Sequence, residues 1–204
     1  MRDQVLVLTD CLSYGPRPAI GLDYADRGML HCEVKYASWA SAQRSQARQY
    51  EKEERALAST LEKCFHMAID LDRYPKSLID INLLVLEDDG AVLAHAINAT
   101  SLALVDASIH LFDLVTASAV GCLGAAHNKL LLDPDHEEES QLTGSLTLAY
   151  MTAVQRVAQV EQSGELQIEV VIQGTKLCID GAIQAHALFS KHLKEQIKNK
   201  RPTS

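Results

Sequence analysis

The sequence predicts an α+β fold, in which strands and helices are mixed without strict alternation along the chain. Short apolar stretches rich in β-branched residues lie between longer stretches whose apolar residues recur at helical spacing. The clearest case is Lys76–Gly124, which predicts a strand, a tight turn, a buried helix and a second strand. Because 204 residues can bury a sizeable core, we expect one domain over residues 1–198 and a disordered, mildly basic tail at 199–204.

Periodicity in the first part of the chain predicts two strands and a helix. Val5–Cys11 is apolar, and Gly28–Tyr36 alternates polar with apolar residues, as in a strand that buries one face. Tyr50–Leu71 is an amphipathic helix that ends before Tyr74-Pro75, because the residue before a proline disfavours the helical region. Two further segments predict a turn and a small polar loop: Tyr14–Pro18 and Ser38–Ser45.

The central stretch begins with the strand Ile79–Leu86 and the polar turn Glu87–Gly90. The helix Ala91–Phe112 that follows has apolar residues around nearly every turn, which predicts burial on almost all sides. A strand then restarts at Asp113 and continues through Val120. The rest of the chain predicts three short strands, a turn and a long helix that frays or breaks near Gly174: Lys129–Leu132, Ser145–Met151, Val154–Val160, Ser163–Gly164 and Glu165–Lys198.

Composition limits the classes of protein to which the chain can belong. A net charge of −8 argues against a freestanding nucleic-acid binder, although one subunit of a larger RNA-handling assembly remains compatible with it. No basic-then-apolar signal pattern opens the chain. We expect buried, reduced thiols and a cytosolic or nuclear compartment, because no CxxC pair occurs among the five cysteines: Cys11, Cys32, Cys64, Cys122 and Cys178. The helix Ala91–Phe112 carries His95, His110 and Asp106, which favours a core helix over a membrane span.

The turn before the central helix is the most informative candidate site. Helix N-termini often bind phosphate, because free N–H groups and the helix dipole favour an anion. Here the turn contains Glu87, Asp88 and Asp89, and the residues after Gly90 are Ala91–Leu93. No basic or hydroxyl side chain stands where a phosphate would be held, which argues against phosphate binding.

Two other clusters are weaker candidates. The acidic run Asp133–Glu139 has oxygen ligands for a divalent cation but lacks the spacing of a known cation loop, so we interpret it as a solvated loop without a metal. The histidines are dispersed without HxxxH or HExxH spacing, which makes zinc improbable, and we expect His95 and His110 to be satisfied core residues. Arg44 and Arg48, in a small-residue segment before a helix, are candidates for contact with RNA phosphates.

The order of several segments resembles the RNase PH family, and in particular the RNase PH-like ring subunits of the RNA exosome. The resemblance rests on residues 14–19 (YGPRPA), 27–37 (RGMLHCEVKYA), 53–115 and 130–140 (LLLDPDHEEES). It implies a ribosomal-protein-S5-domain-2-like α+β fold within a six-membered ring of paralogues that S1/KH subunits cap. It also implies a chain found in the nucleus, including the nucleolus, and in the cytoplasm, without a membrane or cofactor.

The resemblance also implies that this chain is not an enzyme. Active members place a Thr and an Arg that bind phosphate after the central turn, and these positions fall on Val92 and Leu93. Two catalytic acids of active members fall on Glu139 and Ser145. A phosphorolytic site needs donors for the phosphate, and Leu93 offers none. The implied function is a non-catalytic ring subunit that supports 3′-to-5′ RNA processing and degradation, including rRNA maturation and mRNA turnover.

One departure from the family concerns the start of the chain. Family members open with a basic segment and one or two strands before the element that matches Val5–Cys11, so an open sheet edge is expected near Val5. Two alternatives to the ring subunit remain. One is an active phosphorolytic 3′-to-5′ exoribonuclease, and the other is a small metal-dependent α+β enzyme with its site at Asp133–Glu139.

Overall fold

The computed structural model describes residues 7–11, 17–18, 26–40, 47–124 and 129–200. Eight strands and four α-helices occur in these ranges, together with a 3-10 turn at Leu71–Arg73. In chain order the strands and helices are β1 (Val7–Cys11), β2 (Arg17–Pro18), β3 (Met29–Tyr36), α1 (Ala47–His66), β4 (Ser77–Val85), α2 (Val92–Asp106), β5 (Val115–Leu123), β6 (Lys129–Leu132), α3 (His136–Glu139), β7 (Leu142–Met151), β8 (Arg156–Gly164) and α4 (Ile168–Lys200). The predicted α+β class is confirmed.

The first sheet is built around β4. Strand β3 pairs with β4 in parallel, and β1 and β2 pair with it antiparallel. A parallel neighbour needs a crossover connection, which α1 provides between β3 and β4. The alternation predicted for β3 is confirmed, since Leu30, Cys32 and Val34 are buried between exposed neighbours. Among the described residues β1 has one strand neighbour, β4, while Val5 itself lies outside them.

The second sheet is antiparallel, with the order β6-β5-β7-β8. Strand β7 begins at Leu142, three residues before the predicted Ser145, and β8 covers Arg156–Gly164 instead of Val154–Val160. Ser163 and Gly164 were predicted as a turn, but they continue β8 opposite Ser145 and Gly144. The chain leaves the strand only at Gly164, whose φ is 75°.

The protein has four layers, with α1 and α2 between the two sheets and α4 on the outer face of the second. The main core draws buried side chains from both sheets and both inner helices, among them Phe65, Ile81, Ile97 and Val115. Helix α2 is tied to β5, because the Asn98 side chain exchanges two hydrogen bonds with the Ala117 backbone at 2.8 and 2.9 Å.

Helix α4 is tied to the opposite face of the same strand. The hydroxyls of Thr116 and Ser118 donate to the carbonyls of Ala182 and Cys178 at 3.0 and 2.7 Å. The predicted break near Gly174 is wrong, and the helix is continuous past it. Gly174 packs on β5 and β7, where an added Cβ would lie 3.5 Å from Leu146, so tertiary contact supports the helix at this residue.

Two predicted helices are shorter than expected. Helix α1 ends at His66 instead of Leu71, and α2 ends at Asp106 instead of Phe112. Ser108 has a φ of 57°, a left-handed conformation that cannot continue a right-handed helix. Leu111 is half-buried, and its backbone forms a β-bridge with Ile69. This bridge is found at a residue for which the apolar pattern alone predicted helix.

The described cysteines are buried and reduced, as their scattered spacing predicts: Cys32, Cys64, Cys122 and Cys178. Burial raises the pKa of Cys64 to about 12. Burial also raises the pKa of Cys178 to about 11, so both thiols stay protonated and unreactive. Among the described helices, none is both long enough and apolar enough to cross a bilayer.

Candidate functional site

The turn between β4 and α2 has an unusual backbone. Gly90 and Ala91 both have positive φ, at 95° and 48°. The Asp88 carboxylate accepts a hydrogen bond from the Gly90 N–H at 3.2 Å. Ala91 is the N-cap of α2 and offers no side-chain capping bond. Because an alanine rarely adopts the left-handed conformation, the contacts around this turn must hold it in place.

The first side chains of α2 face inward. Val92 and Leu93 are half-buried and pack against the main core. Neither side chain has a hydrogen-bond donor, so neither can bind an anion at the start of the helix. That Val92 and Leu93 do not bind phosphate stays a prediction, and the structure places both side chains against the core.

His95, one turn into α2, lies at this site and not in the core. Its Nδ1 is 3.0 Å from the Ala91 carbonyl oxygen, so Nδ1 carries the proton that is donated there. Its Nε2 is 3.8 Å from an Asp133 carboxylate oxygen, and about a third of the side chain is exposed. The prediction of a core histidine is wrong for His95, because α2 has one face open at its first turn, and it is wrong for His110, which is exposed.

The acidic segment that was interpreted as a loop forms the short helix α3. Asp135 caps it, because its carboxylate accepts from the Glu138 N–H at 2.8 Å and Glu138 accepts in return from the Asp135 N–H at 3.3 Å. This reciprocal capping box satisfies two N–H groups that would otherwise lack partners. Two of the acids therefore have a structural role. Within the described part of the chain, no three His, Cys, Asp or Glu side chains converge as metal ligands.

Tertiary structure brings the turn and the acidic segment into direct contact. A Cβ added at Gly90 would lie 2.7 Å from the Pro134 carbonyl oxygen and 2.9 Å from the backbone of Asp135, so only glycine fits this approach. Partial burial raises the pKa of Glu139, and the nearby Asp88 carboxylate raises it further. The surface in front of α2 therefore concentrates negative charge.

Ser145 lies in β7 of the second sheet, towards the N-terminal end of α2. It pairs with Gly121 of β5, which in turn pairs with Leu131 of β6. Alternation along β5 places Gly121 on the face that carries Ala117 and Ala119, which belong to the core shared with α2. Leu142 covers this position, since an added Cβ at Gly121 would overlap its side chain. Of the two implied catalytic positions, Glu139 and Ser145, only Glu139 carries a carboxylate.

The contact of Arg44 and Arg48 with RNA stays a prediction. Arg44 lies outside the described residues, and Arg48 belongs to the first turn of α1, where only the backbone is described. That helix begins at Ala47, three residues before the predicted Tyr50. The sequence did not predict that Asp88 and His95 lie beside the acidic segment, because they become its neighbours only in the folded chain.

Comparison with known protein families gives two adjoining matches. Residues 10–110 match domain 1 of the 3′ exoribonuclease family, RNase PH, and residues 113–179 match domain 2. The boundary between the two falls in the loop between α2 and β5.

Several relatives are components of the exosome complex. The chain is 32% identical to the RRP41-like component of Arabidopsis thaliana over 183 residues, which covers 89% of this chain and 69% of that protein. It is 33% identical to human MTR3 over 168 residues, covering 82% of this chain and 61% of MTR3. The chain is 31% identical to the mtr3 component of fission yeast, Schizosaccharomyces pombe, over 195 residues, which covers 91% of this chain and 75% of that protein. The chain thus spans about three fifths of the length of human MTR3.

Solved structures share the fold. Rice Rrp46 aligns over 95% of this chain and 83% of its own, with a TM-score of 0.73 and 24% identity. A chain of the Archaeoglobus fulgidus exosome with RNA bound to the active site aligns over 91% of this chain and 77% of its own, with a TM-score of 0.69 and 19% identity. From the two domain matches and the similarity to exosome components, the chain belongs to the RNase PH family of 3′ exoribonucleases.

Proposed function

We propose that this chain is a non-catalytic ring subunit of the RNA exosome that supports 3′-to-5′ RNA processing and degradation, including rRNA maturation and mRNA turnover. The relatives named above are exosome complex components, and human and fission yeast MTR3 are among them. The proposed partners are other RNase PH-like ring subunits, S1/KH cap subunits and RNA that passes through the assembly. The proposed locations are the nucleus, including the nucleolus, and the cytoplasm.

The observation that carries the non-catalytic assignment is the start of α2. Phosphorolysis requires a phosphate ion that is bound by donors and held against the scissile bond. Here Val92 and Leu93 turn inward to the core. The acids in front of the helix are Asp88 and Glu139, close enough together to raise the Glu139 pKa. A phosphate dianion would meet like charge where it needs cations and hydrogen-bond donors.

One experiment tests both parts of the proposal. The complex is purified from cells through a tag on this chain, and RNase PH-like and S1/KH subunits are expected to copurify. That complex and the isolated chain are then incubated with 3′-labelled RNA and inorganic phosphate, and nucleoside diphosphate release is measured. The isolated chain is expected to release none, and Glu139→Ala is expected to leave any release by the complex unchanged.

Two results would contradict the proposal. If no other ring subunit copurifies with this chain, the proposed assembly is wrong. Phosphate-dependent release by the isolated chain, or release by the complex that disappears with Glu139→Ala, would make this chain an active phosphorolytic exoribonuclease. Glu137→Ala, which changes a neighbouring exposed acid of α3, is the matched control.

A further inference from the structure

Helix α4 carries a line of exposed isoleucines along one flank. Ile168, Ile172, Ile183 and Ile197 are 72%, 51%, 41% and 54% exposed. Because each residue turns an α-helix by about 100°, these four side chains point within a sector of about 60°. The half-buried side chains of Ile179 and Leu193 fall in or beside the same sector. The buried residues that pack on the sheet form the adjoining face: Val170, Cys178 and Ala182. Ile179, at the border of that face, packs partly against the cluster that contains Cys178.

The exposed line lies beside an uncovered part of the second sheet. Val160 pairs with Leu148 and Val157 pairs with Tyr150, so both valines share the sheet face that α4 packs on. They are nevertheless 49% and 44% exposed. A helix is about 10 Å wide and a strand about 4.8 Å, so one helix covers about two strands of a four-stranded sheet. Helix α4 packs mainly on β5 and β7, so this face of the edge strand β8 is largely uncovered.

The spacing along α4 is self-complementary. The positions on this flank are separated by steps of three or four residues, the spacing with which two helices interlock. If a second α4 runs antiparallel, Ile168 lies opposite Ile197 and Ile172 lies opposite Leu193. The same register sets Thr175 opposite Ser190 and Ile179 opposite His186. Apolar residues therefore meet at both ends of the pair, and a mixture of apolar and polar residues meets between them.

Charge favours the same arrangement. Glu169 lies on the outer flank of the isoleucine line, and Lys194 and Lys198 lie on that flank at the other end of the helix. In the antiparallel register, Glu169 of one copy lies between Lys194 and Lys198 of the other, and the contact occurs twice. In a parallel pair Glu169 and the two lysines would lie at opposite ends of the interface, so these contacts could not form.

We propose that this chain self-associates through α4, which packs antiparallel against α4 of a second copy. The isoleucine flank and the bare edge of β8 form the apolar centre of the interface, and the contacts of Glu169 with Lys194 and Lys198 set its direction. This surface is on the outer face of the second sheet, opposite α2 and the acidic turn. The isolated chain carries this whole surface, so the tests of self-association need no ring subunit.

Sedimentation equilibrium over a range of concentrations tests the interface. The wild-type chain is expected to dimerise, and Ile172→Glu is expected to weaken the dimer at least about tenfold, because it places a charge in the apolar line opposite Leu193. Phe112→Glu is the control, since Phe112 is 62% exposed outside the interface. It should leave the dimer unchanged. Circular dichroism of each variant verifies that the fold is retained.

Charge reversal tests the direction and the identity of the partner. Glu169→Lys alone and Lys194→Glu with Lys198→Glu are each expected to weaken the dimer, while the triple variant recovers wild-type affinity. Such recovery requires that both sides of the interface are the same helix in antiparallel orientation. A chain that stays monomeric to about 1 mM overturns the proposal. A dimer that is insensitive to Ile172→Glu, or reversals without recovery in the triple variant, overturn it as well.

Discussion

At the scale of single residues, the candidate site is shaped by side chains that oppose anion binding. Asp88 holds the turn through its bond to the Gly90 N–H, and this bond fixes a carboxylate beside the start of α2. Glu139 approaches the same place from α3, and its pKa is raised by partial burial and by Asp88. The two acids thus pay an electrostatic cost that uncharged residues would avoid.

That cost predicts how stability depends on pH. A carboxyl whose folded pKa is raised stabilises the fold while it is protonated, and this contribution is lost as the pH rises from the ordinary value of 4.5 through the raised value. Glu139→Gln is therefore expected to increase the free energy of unfolding at pH 7, by a small amount because the side chain is partly exposed. The increase should shrink as the pH falls below 4.5. Urea unfolding at several pH values measures it.

Glu138→Gln is the informative comparison for that measurement. Glu138 belongs to the capping box of α3, so its replacement should not stabilise the protein at pH 7. Stabilisation by Glu139→Gln that persists unchanged at low pH would show that charge is not the cause. Equal stabilisation by both variants would show a general effect of net charge, which is −8 for the whole chain.

At the scale of elements, α2 joins the two sheets through packing and hydrogen bonds. It contributes buried residues to the core shared by both sheets. Its polar side chains hydrogen-bond to the backbone of β5, Asn98 with Ala117 and Ser101 with Val115. Leu104 is completely buried near the C-terminal end of the helix. Because protein interiors are close-packed, a cavity at this point removes contacts on every side.

Leu104→Ala is therefore expected to destabilise the chain by about 2–5 kcal/mol. This is a large part of a typical stability of about 5–15 kcal/mol. Val105→Ala, at the adjacent half-buried position, should cost less. Chemical denaturation of both variants measures the difference. A Leu104→Ala chain with an unchanged unfolding midpoint would contradict the central place of α2 in the core.

At the scale of the whole molecule, charge and RNA handling have to be reconciled. A net charge of −8 repels a polyanion at long range. Salt at physiological strength screens such repulsion beyond about 8 Å, so local cations can still attract RNA that an assembly brings close. Arg44 and Arg48 are the only basic residues between Lys35 and Lys52 in the sequence. We predict that both arginines make weak, sequence-independent contacts with RNA phosphates within the assembled ring.

The test is RNA affinity as a function of salt for reconstituted complexes. Each phosphate contact to single-stranded RNA contributes a little under one unit to the logarithmic salt slope. Arg44→Ala with Arg48→Ala is expected to weaken binding and, because two contacts of about 0.7 units each are lost, to reduce the slope by about 1.4 units. Lys63→Ala, a basic residue in the last turn of the same α1, is the control. Unchanged affinity and slope in a complete ring would make the two arginines ordinary surface residues.

The sequence by itself determined the class, most of the strands and the lack of side-chain donors at the start of α2. Alternation fixed the buried face of β3, and the cysteine spacing predicted free thiols in the interior. The absence of donors at Val92 and Leu93 is visible in the sequence and needs no structure. These properties are local, because each depends on the residue types at neighbouring positions and on the period of the backbone.

Only the tertiary structure decided where α2 ends, whether α4 continues through Gly174 and which residues meet at the site. The left-handed Ser108 and the bridge between Ile69 and Leu111 end the helical pattern, and packing on Leu146 supports α4 where propensity alone predicts a break. Asp88 and Glu139 are 51 positions apart in the sequence and become neighbours only through the fold. Such contacts depend on the free energy of packing the whole chain, which no local pattern encodes.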